Sequence, residues 1–121
     1  MIVTEDMDML RYDYAPDRWM MIEIKGDVPH YKIFGSWFGG YLGSNSWRMN
    51  SGITSVEEDE TCYYFAGSSG STYRCGKEFY GANMYGWGVA KSFEEKHEDK
   101  FRVMTEEEAM AAIEKNEWII T

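Results

Sequence analysis

All twelve glycines of this 121-residue chain lie between Gly26 and Gly88, interleaved with aromatic residues. Glycine weakens a helix interior but permits the turns and bends of a curved sheet. The middle of the chain therefore reads as antiparallel β. Trp19 to Lys25 alternates, with Met20, Ile22 and Ile24 on one face and Glu23 and Lys25 on the other. Gly26-Asp27-Val28-Pro29 is a turn signal, and His30 to Phe38 follows as the return strand of a hairpin. Gly39-Gly40 and Gly43-Ser44-Asn45 mark a loop leading into Trp47 to Asn50. Ile53 to Val56 is extended, and the acidic run Glu57-Glu58-Asp59-Glu60 reads as a solvated turn. Thr61 to Ala66 and Ser71 to Cys75 are β-favouring runs around the turn Gly67-Ser68-Ser69-Gly70. Gly76 to Gly88 holds too many glycines to be assigned to either state, and Glu94 to Lys100 is a solvated charge run.

The C-terminal part changes character. Thr105-Glu106-Glu107-Glu108 has the form of a capping box, with three acids suited to the positive end of a helix dipole. Ala109, Met110, Ala112 and Ile113 make the apolar stripe, and Asn116 is placed to stop the helix. Phe101 to Met104 before it and Trp118 to Ile120 after it read as short strands. The expected class is α+β: a small, strongly bent antiparallel sheet or partly open barrel with one C-terminal helix packed on it. Residues 1–121 form a single domain, with an acidic segment 1–17, a β core 18–93 and a strand–helix–strand end 100–121.

Charge narrows the function. There are 21 acidic and 12 basic residues, a net charge of −9, concentrated at the two ends of the chain. That sign opposes counterion release from phosphates and argues against direct nucleic-acid binding through a basic face. No apolar run approaches the ~18–20 residues that cross a bilayer. The acidic N-terminus lacks the basic start and apolar stretch of a signal peptide, so the expectation is a soluble cytoplasmic protein without membrane contact.

Catalytic and metal chemistry find little support. No serine sits in a nucleophile elbow; His30 follows Pro29 at a strand start, and His97 lies in a charge run. Cys62 and Cys75 face each other if Ser68-Ser69 is a two-residue loop, whereas a loop centred on Ser69-Gly70 separates them. Buried free thiols are the ordinary reading; a redox bridge or half of a metal site is the alternative. Zinc would need both histidines as well, at separations unlike any usual ligand spacing. The expectation is a non-enzymatic protein without cofactor or metal.

The rings are more informative. Neighbours on a strand point to opposite faces, so consecutive rings such as Trp37-Phe38 and Tyr63-Tyr64-Phe65 cannot all fill one small core. The surplus is suited to a partner or ligand surface, where rings with a polar tip are favoured. Arg48 and Arg74, beside Trp47 and Tyr73, add forked donors for carboxylate or phosphate. The candidate binding residues are Trp37, Tyr41, Trp47, Arg48, Tyr73 and Arg74.

The runs Tyr31-Lys32-Ile33-Phe34-Gly35-Ser36-Trp37, Gly39-Gly40-Tyr41, Ser46-Trp47-Arg48-Met49-Asn50-Ser51-Gly52-Ile53 and Ser69-Gly70-Ser71-Thr72-Tyr73-Arg74-Cys75 together resemble a pattern in short accessory proteins of phages and prophages. The resemblance spans about residues 30 to 81 and implies origin rather than chemistry. It brings no functional residue with it. Small acidic phage proteins often act by binding host machinery, so the resemblance implies a host protein as the expected partner, for instance a basic, nucleic-acid-binding component of defence or transcription. The alternative is a small-ligand binder that holds a nucleotide by ring stacking, with arginines and loop amides on the phosphates.

Overall fold

The structure, a computed structural model, describes residues 10–39 and 45–115. Strands β1 (Arg18–Ile24), β2 (His30–Trp37), β3 (Ser46–Met49), β4 (Ile53–Glu58), β5 (Cys62–Gly67) and β6 (Thr72–Gly76) are followed by helix α1 (Met84–Lys96), strand β7 (Phe101–Val103) and helix α2 (Glu106–Lys115). The class is α+β, with antiparallel pairing throughout the strands. Instead of one bent sheet there are two, ordered β3-β2-β1-β7 and β4-β5-β6, and neither closes into a barrel. Candidate Tyr41, the helix stop at Asn116 and the expected strand Trp118–Ile120 lie outside the described residues.

Strand β1 is central and buried on both faces, which accounts for its unbroken apolar run. Trp19 and Met21 point into the space between the sheets, where they meet Ile33 of β2, Phe65 of β5 and Tyr73 and Cys75 of β6. Met20 and Ile22 point the other way, into a second core with Phe34, Ala90 and Phe101. Helix α1 covers that second face, so the layers run small sheet, large sheet, helix. Helix α2 sends Ala109, Ala112 and Ile113 into the core between the sheets. The capping box forms as its sequence implies. Glu108 N donates to Thr105 Oγ1 at 3.1 Å and Thr105 N to Glu108 Oε1 at 2.9 Å.

Helix α1 is the element that the glycine-rich stretch concealed. Asn83 caps it by accepting from Gly86 N at 2.7 Å. Gly86 lies against β2 so closely that a Cβ there would come within 3.1 Å of Ser36 Cβ. Together with Ala90 one turn later, it lets the helix axis approach the sheet. What reads as a helix breaker is a packing residue. The charge run Glu94 to Lys96 belongs to the last turn of the same helix.

One of its acids and the carbonyl of its cap residue also close the sheet edge. Val103 N donates to Glu94 Oε2 at 3.0 Å and Phe101 N to His97 O at 2.7 Å, both on the outer side of β7. An unpaired edge strand invites association, and here the neighbouring helix satisfies it.

Candidate functional site

The segment Asp13 to Asp17, just before β1, joins an edge of the small sheet to β2 of the large one. Asp13 N and Tyr14 N donate to Thr72 O at 2.8 and 3.2 Å, Arg74 N donates to Tyr14 O at 2.8 Å, and Thr72 N donates to Asp13 Oδ2 at 2.8 Å. These bonds cover the outer edge of β6. Further on, Asp17 N donates to Ser36 O at 3.0 Å and Phe38 N to Asp17 Oδ2 at 2.7 Å. The segment is therefore an arm stitched to β6 at one end and to β2 at the other. A cleft opens on each side of it.

The larger cleft, about 540 Å³, is lined by Arg18, Phe38, Thr61, Arg74 and Phe79 together with the arm backbone. Arg18 lies over the Phe79 ring at 5.6 Å and Arg74 over the Tyr12 ring at 5.3 Å. Arg74 Nε also donates to Tyr64 Oη at 3.3 Å, and Tyr64 Oη donates to Asp59 Oδ2 at 2.7 Å. Burial and the Asp59 hydrogen bond both push the Tyr64 hydroxyl above its ordinary value, so it stays a donor. Burial raises the Asp59 carboxyl, but its hydrogen bonds from Tyr64, Thr61 and Cys62 prevail and hold it below the usual range. Gly76 makes room for Phe79, because a Cβ there would lie 2.5 Å from the ring.

The smaller cleft, about 420 Å³, brings together three of the expected residues, Trp37, Trp47 and Arg48, beside Tyr14. Arg48 lies over Tyr14 at 4.3 Å, and Tyr14 in turn packs on Tyr73 at 5.1 Å. The roles differ from those expected. Trp47 is stacked on Phe34 with centroids 5.3 Å apart and the rings 7° from parallel, and Phe93 meets it edge-on. Its ring completes the core under α1. Trp37 Nε1 is spent on Ala15 O at 3.1 Å. Tyr73 is 2% exposed, and burial first of all pushes its hydroxyl up to about 12. It has no face left for a ligand. Arg74 lies across the arm, in the larger cleft.

Other rings reach solvent. Tyr12, Phe38, Phe79, Tyr85 and Trp87 are the exposed aromatics among the described residues, and none was among the candidates. Met84, Tyr85 and Trp87 lie in the first turn of α1, with Met84 91% exposed and Trp87 41%. Helical spacing marks them only once α1 is recognised as a helix. Arg18, Phe38 and Phe79 become one group only through the arm.

The cysteine question resolves through register. Cys62 pairs with Gly76 and Tyr63 with Cys75, so the two cysteines are one step apart and on opposite faces of the small sheet. Both are free and buried, and burial pushes the Cys75 thiol well above its ordinary value. A bridge between them would require the strand to slip. No group of three or more His, Cys, Asp or Glu among the described residues is placed to hold a metal ion. No helix among them is long and apolar enough to cross a membrane. Compared with known protein families, curated proteins and solved structures, the chain matches none.

Proposed function

We propose that this chain is a non-enzymatic accessory protein of the phage kind that binds a host protein in the cytoplasm and modulates it. The observation that carries this reading is the outward apolar turn of Met84, Tyr85 and Trp87, on a helix whose inner side is already packed against the sheet. Apolar side chains exposed together on a rigid helix are suited to be hot spots. The last turn of the same helix carries Glu94, Glu95 and Lys96, with Glu98 and Asp99 just beyond. An apolar anchor with an acidic flank complements a partner whose rim is basic, such as a nucleic-acid-binding component of defence or transcription. The charges then raise association rate and specificity more than affinity.

Affinity capture from bacterial host lysate tests it. The wild-type chain should retain one or a few proteins at low salt and less at high salt. A Met84→Asp/Trp87→Ser double variant with an unchanged melting temperature should lose them. Retention of the same proteins by the double variant, or no retention at low salt, would overturn the reading.

A further inference from the structure

We propose that the larger cleft beside the arm is a binding site for a nucleoside polyphosphate. The ion pairs among the described residues engage three other cations: Arg102 holds Glu23 and Glu108, Lys77 holds Glu58, and Lys91 holds Glu94. Arg18 and Arg74 take no part in one among the described residues, although the chain has an excess of acids. Both line the same cavity. Each guanidinium lies over a ring, a contact that limits its freedom without using its N–H donors. Arg74 is further fixed through Nε by Tyr64 and, behind it, Asp59. Two arginine forks in one cleft suit phosphate oxygens, which they can meet bidentately.

The rest of the lining selects within the anions. Phe38 and Phe79 are 54% and 51% exposed on the same cavity and offer apolar faces to a planar base. Asp17 also lines it, with Oδ2 accepting from Phe38 N. A carboxylate there repels a bare phosphate cluster and suits a sugar hydroxyl, which can donate to it. About 540 Å³ is more than inorganic phosphate needs and lies within the range of small-ligand sites. The net charge of −9 works against a long nucleic-acid strand, whose phosphates would extend beyond the two arginines.

Isothermal titration with ATP, tripolyphosphate, adenosine and a short oligothymidylate, on the full chain, tests the site. ATP should bind more tightly than each of the other three. Arg18→Ala should weaken ATP about tenfold or more, the loss expected for one charge-assisted contact. Phe38→Ala should weaken ATP while leaving tripolyphosphate unchanged. Arg48→Ala, in the other cleft, should leave ATP binding intact, as should the Met84→Asp/Trp87→Ser variant, so this site and the helix surface stand or fall separately. Absence of ATP binding would overturn the proposal. So would equal affinity for tripolyphosphate or the oligonucleotide, or indifference to Arg18→Ala in a variant that melts like the wild type.

Discussion

Trp19 is where the interior is tied together. It is fully buried, donates Nε1 to Gly76 O at 2.6 Å, and is ringed by Tyr63, Phe65 and Tyr80 at 6.0, 5.4 and 4.9 Å between centroids. Tyr80 adds a second clasp. Its hydroxyl donates to Met104 O at 2.6 Å and accepts from Met21 N at 3.0 Å, joining β1 to the residue that precedes the cap of α2. Burial pushes that hydroxyl far above its ordinary value, so it remains protonated at any working pH. Tyr80→Phe keeps the ring and strands one donor and one acceptor. Chemical denaturation should show a loss of about 1–3 kcal/mol, and an unchanged midpoint would contradict the clasp. Ring type and order in the sequence identify neither Trp19 nor Tyr80 as keystones, because both depend on partners more than twenty residues away. Nor does sequence show that Phe34 stacks on Trp47 or that Tyr73 is buried against Tyr14, since both depend on how the strands pair and pack.

Among the elements, α2 and α1 are opposite cases. The cap of α2 is local: Thr105 and Glu108 are three residues apart and need nothing else, so the helix is legible in sequence. Thr105→Ala should cost about 1 kcal/mol by denaturant titration. The Glu108 carboxyl is held below its ordinary value of 4.5, first by the Thr105 amide and then by Arg102. A depressed folded value means the unfolded chain binds more protons, so this stabilisation is present above pH 4.5 and is lost as pH falls through the folded value. Glu94, lowered first by Lys91 and then by the Val103 amide, acts in the same direction. Glu108→Gln should therefore lower the melting temperature near neutral pH, and the gap to wild type should narrow at pH 3. A constant gap would contradict the cap's charge. Helix α1, by contrast, depends on tertiary contact. Gly86 opposes helix by propensity and is required by Ser36 across the interface, whereas Gly88 has open space where a Cβ would go. Gly88→Ala should stabilise by roughly 0.5–1 kcal/mol, and Gly86→Leu should destabilise by about 1–3 kcal/mol through overpacking. The reverse order in melting temperature would show that the helix sits farther from the sheet.

For the whole molecule, the division of strands between two sheets decides which surfaces remain. The small sheet takes in Tyr31 of β2, and the helix takes in Phe34 of β2 and Trp47 of β3. The arm fills the seam between β6 and β2. The α+β class and most of the strands were legible because alternation and turns are local patterns. The second sheet was hidden because nothing local says where a sheet ends and another begins. The cysteine register was hidden because one residue of slip in the Gly67–Ser71 turn moves every side chain to the other face. What stays outside is a short apolar turn at the head of α1, with acids at the far end of the same helix, and a cleft with two arginines.

The most direct measurement of the binding account is oxidative footprinting of the methionines, in the free chain and in complex with a captured host protein. Met84 is 91% exposed, while Met20 and Met21 are fully buried. Free in solution, Met84 should oxidise far faster than either. In the complex, its oxidation should fall several-fold while Met20 and Met21 stay unchanged. A Met84 that oxidises as quickly in the complex as alone would place the partner elsewhere and contradict the account.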